Sequence, residues 1–241
     1  MASFLEIAQE FCAEYNLHIP DYLKGSDDAG VKQIRQLMNS VGEEIWAKTN
    51  WRDCVIRVEW TSVAGDDQGS LAELCPTNLD HVIPRTFWDN TLRRPIYGPV
   101  SDMGWQQLKA YVPGSPLYQY TIREGRILFN PSMVEGHTLT LMYKTKNWFA
   151  IAGTDPVQGG FVIDEDDDVP YFTKQTMTLG LKAKWREVKG MDFRQARTDF
   201  LDSMEAEASR MSVQPIIHMD DPEQTIRPGI WVPYGNWNVS Q

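Results

Sequence analysis

The densest set of hard oxygen ligands in the chain is Asp164-Glu165-Asp166-Asp167-Asp168, and clustered carboxylates are what a divalent cation selects. The run lacks the alternating Asp-x-Asp-x-Asp-Gly loop and the distal bidentate glutamate of a calcium-binding hand. It reads as an acidic loop entering a helix, with Asp168 before Pro170 as the cap; a metal-dependent hydrolase is a rival reading. Asp80-His81 is an adjacent acid and base, but neighbours on a strand point to opposite faces, which sets the two groups apart. His18, His81, His137 and His218 are scattered without ligand spacing. Cys12, Cys54 and Cys75 include no Cys-x-x-Cys pair and read as reduced, buried small hydrophobes. A nucleophile elbow, a phosphate-binding Walker loop and a His-Glu-x-x-His helix are all missing. Neither catalysis nor a bound metal or cofactor is expected from these residues.

Recognition chemistry is better represented. Lys174, Lys182, Lys184, Arg186 and Lys189 gather on one predicted helix, where the surrounding acids make them a solvated face or salt-bridge partners across subunits. Trp51, Trp60, Trp88, Trp105 and Trp148 could stack on sugars, although their spacing shows no repeat and most should be core or interface residues. A carbohydrate- or receptor-binding β module is therefore the alternative function. The last stretch, residues 212–241, is broken by Pro215, Pro222, Pro228 and Pro233, yet it is too apolar for an idle tail. A proline-stiffened arm loses little entropy on ordering, and its aromatics are large anchors for a partner. Its expected partner-binding set is Arg227, Ile230, Trp231, Val232, Pro233, Tyr234 and Trp237; the competing reading folds it back over the chain's own strands.

These groups need elements to carry them. Ser3 with Glu6 makes a capping box, and Phe4, Ile7, Ala8, Phe11, Cys12 and Tyr15 follow at helical spacing. Ser26, Asp27 and Asp28 should cap a second helix whose Val31, Ile34, Met38, Val41 and Ile45 form a packing seam. Gly42 inside that seam points to close backbone approach or a weakened helix. From Trp51 the texture turns to strands: residues 54–60, a hairpin of 117–123 and 126–130 joined by Glu124-Gly125, and an alternating segment 138–143 with one face toward a core. A helix is expected over 101–110 among them. Phe172, Thr176, Leu179 and Ala183 then share a helical face, with Gly190 as its stop. Asp192 and Gln195 offer another capping box before Phe193, Ala196, Phe200, Met204, Ala208 and Met211.

The predicted class is α+β. A four-helix bundle is formed by N- and C-terminal helices (residues 1–50 and 164–211), a small antiparallel β domain (51–163) is inserted between them, and an extended arm (212–241) follows. With 241 residues, one generous core or a core with a satellite is affordable. The 23 basic against 33 acidic residues give a net charge of −10, which leaves no global surplus for gripping phosphates. No apolar run reaches the roughly 18 residues of a membrane span, and no signal peptide is expected at Met1-Ala2-Ser3-Phe4.

The run Leu79-Asp80-His81-Val82-Ile83-Pro84-Arg85-Thr86-Phe87-Trp88-Asp89, then Arg94-Pro95-Ile96-Tyr97-Gly98-Pro99-Val100 and Trp105, resembles the head-to-tail adaptor family of tailed double-stranded-DNA bacteriophages, the group that includes tail tubular protein A and other portal-bound connectors. Gly125-Arg126-Ile127-Leu128-Phe129-Asn130-Pro131, Tyr143, Asn147-Trp148, Thr178 to Trp185 and Lys189 to Phe193 extend the resemblance over most of 46–200. It implies a virion protein at the head–tail interface, made in the host cytoplasm. Its copies would form a ring, commonly a dodecamer, that holds the portal protein on one side and a nozzle, stopper or tail terminator on the other. DNA would pass through without specific binding, and no membrane is involved. The resemblance also implies a helical bundle, a β domain and a C-terminal arm that embraces the portal.

Overall fold

A computed structural model of the chain describes residues 2–48, 50–110, 117–151, 159–163 and 165–211. Among them the fold is α+β, with six α-helices and antiparallel sheets. Helix α1 (Phe4–Glu14) starts at the expected capping box. The Ser3 hydroxyl accepts the Glu6 N–H, and the Glu6 carboxylate accepts that of Ser3, each at 3.3 Å. In α2 (Ala29–Lys48) Asp28 accepts the N–H groups of Gly30 at 2.6 Å and Val31 at 3.4 Å, and the whole predicted seam is buried.

The chain then passes through β1 (Val55–Thr61), β2 (Gly65–Ser70), the single turn α3 (Leu71–Leu74), β3 (Leu79–Val82), β4 (Trp88–Asp89) and β5 (Arg94–Pro95). After α4 (Asp102–Ala110) come β6 (Gln119–Arg123), β7 (Arg126–Met133) and β8 (Thr138–Thr145). Glu124 and Gly125 take φ of 50° and 71°, the left-handed pair that a two-residue turn between twisted strands requires. One sheet runs β1-β8-β4-β5, with β3 also paired to β8; a second runs β2-β7-β6. The two share a cluster in which Phe87, Tyr120 and Phe129 meet edge-on or tilted, with Leu139, Leu141 and Tyr143 of β8 beside them.

Strand β8 departs from the expected alternation, because Thr140 and Lys144 on its other face are buried too. Trp46 of α2 is part of the reason. Its indole N–H donates to the Thr145 carbonyl at 3.0 Å, and its own carbonyl accepts the Lys144 ammonium at 2.8 Å. The same ammonium lies 3.9 Å from the Trp46 ring centroid.

Strands β9 (Phe149–Ala150) and β10 (Val169–Pro170) lead to α5 (Lys174–Val188) and α6 (Arg194–Met211). Thr173, not Asp168, caps α5 by accepting the Thr176 N–H, so Asp168 enters a strand rather than a helix. Gly190 at φ 69° ends the helix as expected. The predicted capping box of α6 does not form: Asp192 accepts the Arg194 N–H at 3.2 Å, but Gln195 donates to Asp199 at 2.8 Å. Helix α5 packs on α1, α2 and α6 together, so Met177, Gly180 and Leu181 are buried as well as Phe172, Thr176 and Ala183 of the predicted face, while Leu179 is half-buried. All four of these helices enter one hydrophobic cluster with Trp51, Trp148, Phe149 and Phe172.

Gly42 explains how Trp148 enters that cluster. A Cβ at Gly42 would collide with three atoms of the six-membered ring of Trp148, and one at Gly180 would strike Val41 and Phe200. Both glycines are contact points where helix backbone meets a ring or a branched side chain. Gly42→Ala is expected to destabilise the fold by about 1–3 kcal/mol through overpacking. A glycine-to-alanine change in an uncrowded helix interior would instead stabilise by up to roughly 1 kcal/mol. Urea unfolding followed by tryptophan fluorescence gives the sign directly.

Candidate functional site

The expected arm set, Arg227, Ile230, Trp231, Val232, Pro233, Tyr234 and Trp237, lies outside the described residues. The five tryptophans considered as a stacking platform are dispersed. Trp51 and Trp148 belong to the helical core, Trp105 is buried beside α4's other turns, Trp60 packs half-buried on the strand core, and Trp88 is exposed. Their rings do not share one surface.

The acidic run holds backbone. Asp166 accepts the N–H groups of Leu23 at 2.7 Å and Lys24 at 2.8 Å, and Glu165 pairs with the Lys24 ammonium. The carbonyls of Asp168 and Asp166 accept the N–H groups of Phe4 at 3.0 Å and Leu5 at 3.3 Å, which are orphan donors at the start of α1. These oxygens are thus directed at N–H groups, and no cluster of three or more His, Cys, Asp or Glu side chains suited to a metal occurs among the described residues.

Two acid–base pairs do form. Asp80 and His81 meet at 2.6 Å, against the expectation that the strand would separate them. A register shift between Leu79 and His81, where β3 pairs with β8, breaks the simple alternation and brings both side chains to one edge. The second pair, Asp89 and His137 at 2.8 Å, joins residues too far apart in sequence for any spacing rule to find. Asp89 is fully buried, and its other carboxylate oxygen accepts the N–H groups of Thr91 at 2.9 Å and Leu92 at 3.0 Å. The His137 N–H is bound to the Ser62 hydroxyl at 2.9 Å, and that hydroxyl donates to the Val134 carbonyl. This arrangement clasps the β4–β5 turn to the β7–β8 turn. The only hint of it in the sequence is Asp89-Asn90-Thr91, residues that favour side-chain-to-backbone bonds in turns.

The thiols are poor nucleophiles. Burial pushes Cys54 up to about 12 and Cys75 up to about 11, and it raises Cys12 as well.

The basic row on α5 is engaged within the chain. Lys174 pairs with Glu10, Lys182 with Glu14 at 2.6 Å, and Arg186 donates to the Tyr15 hydroxyl at 3.0 Å, so three of its members reach α1. Lys184 reaches Glu44 of α2 at 3.3 Å, and Lys189 donates to Gln33 at 3.1 Å while lying 4.4 Å from the Trp185 ring centroid. Arg197 of α6 also pairs with Glu44, whose carboxylate thereby joins three helices. Within one copy, these cations, expected to form a solvated face or salt bridges across subunits, pair between helices.

Burial alone would raise the Glu44 pKa, but the Arg197 and Lys184 cations outweigh it and hold the carboxyl below the usual glutamate range. Its stabilising contribution is therefore complete above the ordinary glutamate pKa and is lost as pH falls through the lowered folded value. Glu44→Gln should lower stability by about 1 kcal/mol near neutral pH. The deficit should shrink on acidification to about pH 3, as read from urea midpoints of both proteins.

A scan against protein-family models finds no match to this chain, and a search of the curated proteins finds none either.

Proposed function

We propose that this chain is a non-enzymatic virion structural protein. It is a head-to-tail adaptor whose copies form a ring between the portal protein and the tail-side component. The observation that carries this reading is the path of the chain. Helices α1 and α2 and helices α5 and α6 contribute to one hydrophobic cluster, whereas the strands between them build a second. This supports a four-helix bundle with an inserted antiparallel β domain, the plan implied by the resemblance across residues 46–200.

In this reading the division of labour is mechanical and electrostatic. The bundle gives each copy a stiff body, and the β domain presents a platform to the nozzle, stopper or tail terminator. The arm, through Arg227, Ile230, Trp231, Val232, Pro233, Tyr234 and Trp237, fastens the ring to the portal. Rigid aromatic anchors flanked by prolines bind without a large ordering cost. A net charge of −10 repels DNA phosphates, so the duplex slides past the ring instead of adhering to it.

Deleting the residues after Ser212 should leave a folded protein, as judged by circular dichroism, that binds portal rings at least about tenfold more weakly than the full chain. Co-sedimentation with portal rings reads the loss. Equal co-sedimentation of the truncated and full-length proteins would refute the role given to the arm.

A further inference from the structure

The β4–β5 hairpin and the residues entering it expose a patch with no use inside the molecule. Trp88 is 42% exposed and Leu92 43%, although Phe87 and Ile96 on the same stretch are buried in the strand core. Arg85, Arg93 and Arg94 are exposed around them. Arg57, Arg123 and Arg126 each hold a carboxylate, at 3.1, 2.9 and 2.8 Å, whereas these three hold none among the described residues. Strand β5 is also the end strand of its sheet, so the hairpin borders open space. Exposed tryptophan beside unpaired arginine is the composition found at the centres of protein interfaces.

Helix α6 carries the complement. Asp202 and Glu205 are exposed along its middle, one turn apart, with Leu201, 38% exposed, on the same side; Asp199 lies about 160° round the helix from Leu201. Arg194 and Arg210 stand at the two ends of the helix, leaving its centre acidic. Asp202 and Glu205 are in no ion pair among the described residues, and Asp199 accepts only the Gln195 amide at 2.8 Å. The hairpin is anchored in the strand core and α6 in the helical core, so the two faces are different surfaces of the fold.

We propose that the β4–β5 hairpin of one copy docks on the α6 face of a second copy. Arg93 and Arg94 meet Asp202 and Glu205, while Trp88 and Leu92 cover Leu201. Because the two faces differ, the contact is head-to-tail, and repeated head-to-tail contacts close into a ring when their rotation permits. The proposal rests on the ring assembly proposed above and names the faces that would build it. A phosphate backbone fits the hairpin less well, since it offers nothing apolar to Leu92 and meets the repulsion of the whole chain.

The test uses two full-length charge-reversed proteins, Arg93→Glu with Arg94→Glu, and Asp202→Arg with Glu205→Arg. Their self-association is followed by sedimentation velocity, alone and with portal rings. Each variant by itself should associate about tenfold more weakly than wild type, since like charges then face each other. An equimolar mixture should recover association, because each hairpin then finds an opposite charge on the other variant. Variants that assemble like wild type, or a mixture that does no better than its components, would overturn the proposal. So would a wild-type chain that never self-associates in either setting. Loss of DNA retention by the hairpin variant with self-association intact would assign the patch to nucleic acid and also overturn it. Portal binding in the same samples separates the two readings. Mixing-dependent association without portal binding upholds this contact and defeats the adaptor reading, and single copies bound to portal do the reverse.

Discussion

The six-membered ring of Trp148 resting on the bare backbone of Gly42 ties the chain leaving the strands to helix α2, next to the bonds that Trp46 makes to β8. Trp148 stands three residues beyond the end of β8, the strand that holds together β1, β3 and β4. Its indole N–H is satisfied by the Phe161 carbonyl at 3.0 Å, so a large ring is buried without an orphaned donor. Phe4 and Phe149 pack edge-on against it, and Phe172 stacks on it at 6.3 Å with nearly parallel planes. A side chain at position 42 would fill the slot and push the strands away from the helices.

Charge is organised around the same geometry. Glu10 and Glu14 on α1 and Glu44 on α2 face the basic row of α5, so a helix rich in lysine is neutralised by its neighbours. Helix α5 therefore contributes packing on all sides and ion pairing at its margins, while the acid that remains in excess lies elsewhere. The unmatched arginines of the β4–β5 hairpin stand out against that background. In a chain of net charge −10, a local basic excess beside exposed Trp88 is a separate feature from the helical ion pairs.

Local signals were readable wherever one segment contains all the partners. The Ser3–Glu6 capping box, the seam from Val31 to Ile45 and the Glu124-Gly125 turn need only neighbours, and each appears in the structure as its residues imply. The meaning of Gly42 was half legible: close approach was expected, but not that the approaching group is a tryptophan over a hundred positions away. Strand β2, Gly-Asp-Asp-Gln-Gly-Ser, carries no apolar alternation at all; pairing with β7 and the Gln68 bonds to Val63 hold it in place. The Asp89–His137 clasp and the destinations of the α5 cations depend on tertiary neighbours, which spacing along the chain does not encode. The acidic run looked like ligand chemistry because composition shows how many carboxylates there are, not which N–H groups they face.

The backbone bonds from Phe4 and Leu5 to the carbonyls of Asp168 and Asp166 set an order of events for a nascent chain. The strand core draws its residues from one continuous span, Ile56 to Tyr143, and can be completed as soon as β8 has left the ribosome. Helices α1 and α2 are made before the strands, but the partners that cover their apolar seams arrive with α5 and α6. During synthesis these two helices thus wait for partners made after the strands, and closing that loop depends on a sequence separation spanning most of the described chain. Until then the seam from Val31 to Ile45 is the sticky surface of the emerging chain, and chaperone contacts with the newborn protein belong there.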